Sequence, residues 1–275
     1  MLKHAGLVAA LCAVVGTFAF SPVFAEAPDL GKSGPAAAAA GAAGEEGDKP
    51  VEWEGWHAHN SVADRASLQR GARNFMNYCI GCHSLKYLRY QRMADDLKIP
   101  LSVLQANLLQ PGSGALDYIT TPMPAADAQA WFGKVPPDLS LIARSKGTDH
   151  VYRIFKTYFQ DPGRPTGTDN LEYPQLAMPA VLSELSGVQR AVFKEQKTAS
   201  GGTEKVFDHF ETVSPGNLTP EQYDEFVRDT VNFLDYASEP AQVERRSMGV
   251  WVVLFLMMLA GFAYFLKKEY WKDVH

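Results

Sequence analysis

Cys79-Ile80-Gly81-Cys82-His83 spells C-x-x-C-H, the spacing of covalent c-type haem attachment. Each thiol can add to one vinyl group of a porphyrin, and the histidine that follows at once is placed under the iron as proximal ligand. Other uses of such a pair fit less well. A structural zinc site takes four protein ligands, and the chain has no second cysteine pair. A redox dithiol of the thioredoxin kind sits beside a βαβ pattern, which the surrounding sequence lacks. An ordinary disulfide loop would leave His83 without a purpose.

The rest of the composition agrees with one cofactor and one globular domain. Of three cysteines, Cys12 lies in a leading apolar segment, so only Cys79 and Cys82 stay with the folded part and no disulfide framework is expected. At 46% hydrophobic and 21% charged, the chain can form a packed core. The whole chain carries −5, and residues 26–247 hold 22 basic against 29 acidic side chains, a net −7. Such a domain is not built for nucleic acid; a basic protein partner suits it better.

Upstream of the motif, Asn60 or Ser61 can cap a helix with Asp64 in its first turn. Leu68, Ala72, Phe75 and Met76 then form one apolar stripe. A helix that runs straight into the cysteines fixes both thiols relative to one face. Farther upstream, residues 1–25 read as a signal peptide: Lys3 and His4, an apolar run over 7–20, and Val23-Phe24-Ala25 at an A-x-A-like cleavage site. Residues 26–50 are an Ala/Gly-rich leader with no face to bury. The domain proper is expected over 51–247.

Downstream, 100–137 is rich in Pro and Gly and reads as irregular, and Leu85 to Tyr90 as half-buried packing. Leu141, Ile142, Ile154 and Phe155 mark a helix after Pro136-Pro137-Asp138-Leu139-Ser140. Residues 161–172 are again loop, and loops this long usually serve a site. A hairpin is expected over 188–210, turning at Gly201-Gly202. Thr219-Pro220-Glu221-Gln222 is a helix start with a capping box. Its stripe is Tyr223, Phe226, Val227, Thr230, Val231 and Leu234, and it is expected to end at Ser238-Glu239-Pro240 after packing on the helix that leads into the motif. Residues 248–266 carry no charge and at ~1.5 Å per residue can cross a ~30 Å hydrocarbon layer. Arg245-Arg246 and Lys267-Lys268 flank both ends, so the signal peptide sets the orientation, with 267–275 as a cytoplasmic tail.

The second axial ligand is less constrained. Met76 and Met93 lie too close to the motif; Met123 and Met178 are far enough along, and each precedes a proline. His57, His59, His150 and His209 leave bis-histidine ligation open. A Met thioether opposite His raises the potential and suits electron transfer.

Four features together resemble the cytochrome c1 family: the motif, the Pro136-Pro137-Asp138-Leu139-Ser140 run, Ala177-Met178-Pro179, and Phe233-Leu234-Asp235-Tyr236-Ala237-Ser238-Glu239-Pro240 before a C-terminal span. The resemblance runs in order from about Trp53 to the end. It implies a mostly α, class I-like cytochrome c domain with long haem-wrapping loops and a small β-hairpin, plus one C-terminal transmembrane helix. It implies one covalently bound haem c, with Cys79 and Cys82 on the vinyl groups and His83 and Met178 as axial ligands. Arg144 or Lys146 would reach a propionate, and the carbonyl of Pro136 or Pro137 would orient the proximal ring. The function implied is that of the haem subunit of a bc1 complex in a respiratory or photosynthetic chain. It would relay single electrons from the Rieske iron–sulfur protein, beside cytochrome b, to a cytochrome c. Such a chain is a carrier and not an enzyme alone, held by one span in a bacterial inner membrane with its haem domain in the periplasm. An anchored monohaem subunit of another reductase or terminal oxidase would share the haem chemistry but not the donor. Asp95, Asp96, Glu184, Glu204, Asp208 and Glu211 could contribute to an acidic docking face.

Overall fold

Asp64 starts the helix that delivers the cysteines. In the computed structural model, which describes residues 52–197 and 203–273, α1 spans Arg65–Tyr78 and the Asp64 carboxylate accepts Ser67 N–H at 3.1 Å. The start falls a few residues later than Asn60 or Ser61 suggested, because those residues are engaged across the fold. Asn60 donates to Asp235 Oδ2 at 2.9 Å, and the Ser61 carbonyl accepts from Asn232 at 2.8 Å. The expected stripe of Leu68, Ala72, Phe75 and Met76 is buried. The expected signal peptide and leader lie outside the described residues.

The partner of α1 is α8, Pro220–Ser238, and its capping box forms as the sequence promised: Thr219 Oγ1 accepts Gln222 N–H while Gln222 Oε1 accepts Thr219 N–H. The two helices touch at backbone distance. A Cβ on Gly71 would overlap the Asp229 carbonyl and lie 2.7 Å from Phe233 Cβ, so glycine is required there by proximity. Around that crossing, the Phe75 and Phe233 rings meet tilted, with centroids 5.8 Å apart. Asn74 donates to Phe226 O and Thr230 Oγ1. Arg70 holds the buried Asp229 carboxylate through Nε at 2.5 Å and Nη2 at 3.0 Å. That bidentate contact offsets the desolvation of the carboxylate.

More of α8 is buried than one stripe. Asp229, Asn232, Phe233, Tyr236 and Ala237 are enclosed as well, while Phe226 is only half-buried. The reason is that α8 has neighbours on several sides. Tyr236 donates to Asp96 Oδ2 at 2.8 Å and Tyr223 to the Phe155 carbonyl at 2.8 Å. Asp96 belongs to α2 (Tyr90–Leu97) and Phe155 to α6 (Thr148–Lys156).

Short elements fill the stretches that read as loop. β1 (Leu85–Arg89) pairs antiparallel with β2 (Tyr118–Ile119), and α3 (Leu101–Asn107) and α4 (Ala125–Phe132) interrupt the region expected to be irregular. The single helix expected after Ser140 is two, α5 (Ile142–Lys146) and α6, broken at Gly147 with φ 91°. That conformation favours glycine. β3 (Tyr158–Gln160) pairs with β4 (Thr168–Asn170), and α7 (Ser183–Ser186) precedes the hairpin. The expected hairpin is β5 (Gly187–Lys197) paired with β6 (Thr203–Pro215), and the Gly201-Gly202 turn lies outside the described residues.

The last element, α9 (Gln242–Tyr270), has 29 residues, about 43 Å of helix. It is long and apolar enough to cross a membrane, and of its residues Gln242 alone is buried. Among the described residues, about half are therefore helical, with three two-stranded antiparallel sheets and one apolar C-terminal helix.

Candidate haem-binding site

At the end of α1 the backbone turns without a break. Cys79 and Ile80 N–H groups bond to the Phe75 carbonyl, then Cys82 and His83 N–H both bond to the Cys79 carbonyl at 3.0 and 2.9 Å. Two cysteines and a histidine thus share one tight turn. Both thiols are free, Cys79 buried and Cys82 half-buried. Burial pushes the Cys79 thiol up to about 12, the opposite of the accessible thiolate that disulfide exchange requires.

His83 is 9% exposed. Its Nδ1 lies 2.8 Å from the Pro137 carbonyl. A carbonyl can only accept, so Nδ1 carries the hydrogen and Nε2 keeps its lone pair for a metal. Burial lowers the imidazole's proton affinity, with the Pro137 bond opposing it, and the neutral form is the one that ligates. Of the two prolines expected to orient this ring, Pro137 makes the contact.

The Pro137 carbonyl is held in place by the residues after it. Asp138 Oδ1 accepts Ser140 N–H at 3.0 Å, an Asx-turn, and Oδ2 accepts Lys86 N–H at 2.9 Å. Leu139 N–H bonds to the Ser84 carbonyl at 2.9 Å, and Ser140 Oγ accepts Tyr87 N–H at 3.2 Å. Every polar residue of the Pro-Pro-Asp-Leu-Ser run is spent on stitching itself to the segment that follows His83. Ser84 also accepts Thr121 N–H through Oγ at 2.8 Å, and Thr121 Oγ1 donates to the Gly81 carbonyl. The stretch holding Met123 is thereby tied to the motif turn.

Met178 is half-buried against the apolar cluster that contains Cys79, Ile80 and Phe155, and its carbonyl accepts the Tyr158 hydroxyl at 3.1 Å. Burial pushes the Tyr158 phenol well above its ordinary value, so it remains a donor. Met76 and Met93 are core residues. Three of the four alternative histidines are engaged with carboxylates: His57 with Asp149, His150 with Glu172 and His209 with Asp208. His59 is exposed.

Arg144 and Lys146 sit exposed in the last turn of α5, with Arg144 drawn to Glu239 at 3.7 Å. Of the acidic residues considered for docking, Asp96 is held by Arg92 and Tyr236, and Asp208 by Lys194 and His209. Glu184 reaches Asn217, Asp95 and Glu211 are exposed, and the Glu204 side chain lies outside those described. A cavity of about 340 Å³ opens elsewhere, lined by Trp56, Phe155, Tyr158, Gln189 and Tyr223. It touches neither cysteine nor His83.

The roles of Ser84, Thr121 and Tyr158 were not read from the sequence. The Asp138-x-Ser140 spacing of an Asx-turn was a legible signal for part of the stitching. A serine, a threonine and a tyrosine that bond to remote backbone carry none.

The Cytochrome C1 family profile matches residues 55–274. The chain belongs to the cytochrome c1 family. It is 48% identical over 218 residues to cytochrome c1 of Allochromatium vinosum, covering 79% of this chain and 88% of that one. It is 39% identical over 213 residues to the ammonia monooxygenase gamma subunit of Nitrosomonas europaea, covering 78% and 86%. With cytochrome c1 of Rhodospirillum rubrum it shares 27% over 245 residues, covering 81% and 87%. Membership brings one covalently bound c-type haem and makes the chain an electron-transfer subunit of a bc1 complex. The free thiols, the buried imidazole with its hydrogen on Nδ1 and, among the described residues, no hydrogen-bond partner on Nε2 fit that cofactor.

Proposed function

We propose that this chain relays single electrons from the iron–sulfur cluster of a Rieske subunit to a soluble or tethered cytochrome c, in contact with cytochrome b. The observation that carries the reading is the His83 Nδ1 to Pro137 bond of 2.8 Å, which aims an unprotonated Nε2 out of a turn that also holds two free thiols. Haem c, when bound, supplies a one-electron couple, and the protein contributes binding, orientation and electrostatics. Cys79 and Cys82 would take the vinyl groups, and His83 and Met178 would hold the iron. Arg144 or Lys146, exposed two and four residues past the start of α5, pairs with a propionate. The apolar cluster around Cys79 and Ile80 excludes water and so limits reorganisation when charge changes.

The apolar length of α9 supports a single membrane span; the signal-peptide reading of residues 1–25 supports a bacterial inner membrane with the haem domain in the periplasm and residues 267–275 in the cytoplasm. A net charge of −7 over residues 26–247 steers a basic cytochrome c toward the domain.

The test is a spectrum and a turnover on membrane-extracted protein and its Met178→Leu variant. Wild type is expected to show covalent haem c, the weak long-wavelength charge-transfer band of an oxidised Met–iron bond, and quinol-driven reduction of added cytochrome c. Met178→Leu is expected to keep the covalent haem and lose the band and most of the turnover. Survival of the band in the variant moves the distal role to Met123. A second reading has one observation behind it, the relative of Nitrosomonas europaea named as a subunit of ammonia monooxygenase. Under it the chain serves a different membrane oxidoreductase, and co-purification with cytochrome b and a Rieske protein would rule it out.

A further inference from the structure

Met178 lies in a stretch that has little else to hold it. Upstream, the loop is fixed at Gln175, a residue at φ 63° whose N–H bonds to Asp169 Oδ1 at 2.7 Å. Farther back, Glu172 is gripped by Arg153 through Nε at 2.8 Å and Nη2 at 3.0 Å and by His150 at 2.5 Å. Downstream, Val181 N–H bonds to the Pro179 carbonyl at 2.8 Å. Between these anchors stand Leu176, Ala177 and Met178. Among the described residues, the one hydrogen bond to this span is the Tyr158 hydroxyl on the Met178 carbonyl, at 3.1 Å.

Tyr158 is itself held on two sides. β4 pairs with it through Asn170. From the base of the hairpin, Gln189 Nε2 donates to the Tyr158 carbonyl at 2.6 Å and the Lys156 carbonyl at 3.2 Å. A line of contacts therefore runs from Gln189 on β5, through Tyr158 on β3, to the backbone of Met178.

We propose that Tyr158 is a positioning residue for the Met178 thioether, with Gln189 holding Tyr158 in place. The inference rests on Met178 being the distal ligand. An axial thioether competes with external ligands, and its released state gains the conformational freedom of the span that carries it. A tether at the Met178 carbonyl reduces that gain. It also gives the base of the β5–β6 hairpin a task at the site, although the hairpin contributes no ligand.

The experiment uses the full-length chain with haem attached and compares wild type with Tyr158→Phe. The readouts are the fraction of ferrous protein that binds carbon monoxide and the pH at which the oxidised charge-transfer band disappears. Loss of one hydrogen bond of ordinary strength is expected to raise the methionine-released fraction roughly three- to tenfold, so that the band disappears at lower pH. Tyr223→Phe is the control. It removes a bond of 2.8 Å to the Phe155 carbonyl from a phenol that makes no hydrogen bond to the Leu176–Met178 span. It is expected to lower the melting temperature and leave ligand release unchanged.

Equal effects from the two variants would mean general loosening and overturn the inference, as would wild-type behaviour in Tyr158→Phe. Should Tyr158→Phe fail to accumulate, Gln189→Leu, which keeps the phenol, must shift release in the same direction by a smaller factor; no shift overturns the proposal. If Met178→Leu retains the band, the ligand reading fails first. If Met178→Leu loses it while Tyr158→Phe and Gln189→Leu behave as wild type, only the positioning role fails.

Discussion

A single proton position on His83 sets the character of the site. The imidazole can ligate because the Pro137 carbonyl claims Nδ1–H, and that carbonyl stays put because Asp138 takes the Lys86 and Ser140 N–H groups. Asp138→Ala removes both acceptors at once. At about 1 kcal/mol for each hydrogen bond, the loss is about 2 kcal/mol, or ~4–8 °C in melting temperature for a domain of this size. Covalent haem attachment is expected to survive, since neither cysteine depends on Asp138. A differential scan of the haem-loaded variant checks this, and an unchanged melting temperature would sink the stitching argument. The five residues of the motif were legible because thioether chemistry dictates their spacing. The choice of Pro137 over Pro136 was not, since adjacent carbonyls differ only in where the folded backbone aims them.

Between elements, the contact of α1 with α8 is the main joint of the domain, and it was partly foreseen. Periodicity marked Leu68, Ala72, Phe75 and Met76, and the capping residues Thr219 to Gln222 marked where α8 begins. It did not mark Gly71, Asp229 or Phe233, whose roles depend on where two helices cross. Gly71→Ala tests that crossing. Within an exposed helix the change would stabilise by up to ~1 kcal/mol through backbone entropy. Here the added methyl meets the Asp229 backbone and lies 2.7 Å from Phe233 Cβ, and overpacking costs typically ~1–3 kcal/mol, occasionally more. The clash outweighs the propensity, so denaturant unfolding of the haem-loaded variant is expected to show a net loss; a gain in stability would mean the helices are free to part. Loop-forming regions were the least legible part. α3 and α4 are only 7 and 8 residues long, too short for a periodic signal to rise above their Pro and Gly surroundings. The hairpin was legible from Val188, Phe193, Val206, Phe207 and Phe210 on either side of a Gly-Gly pair, whereas its outer pairs, such as Glu195 opposite Lys205, carry no hydrophobic alternation.

At the scale of the whole molecule, the chain is a globular domain joined to an apolar helix that adds almost nothing to its core. Gln242 is the one buried residue of α9, and Arg245 folds back on Glu239 just before the apolar run begins. Removal of residues 247–275 is therefore expected to leave the domain closed. A chain ending at Arg246 keeps the Arg245–Glu239 pair and all of α8. It is expected in the soluble fraction with the same haem spectrum, and its stability should change by no more than about 0.5 kcal/mol, the scale of a surface alteration. The full-length chain is expected in the membrane fraction until detergent is added. Fractionation and a thermal scan of the two chains separate the possibilities. A truncated chain still bound to membranes would show that another surface carries attachment, and a marked fall in melting temperature would show that α9 packs on the haem domain.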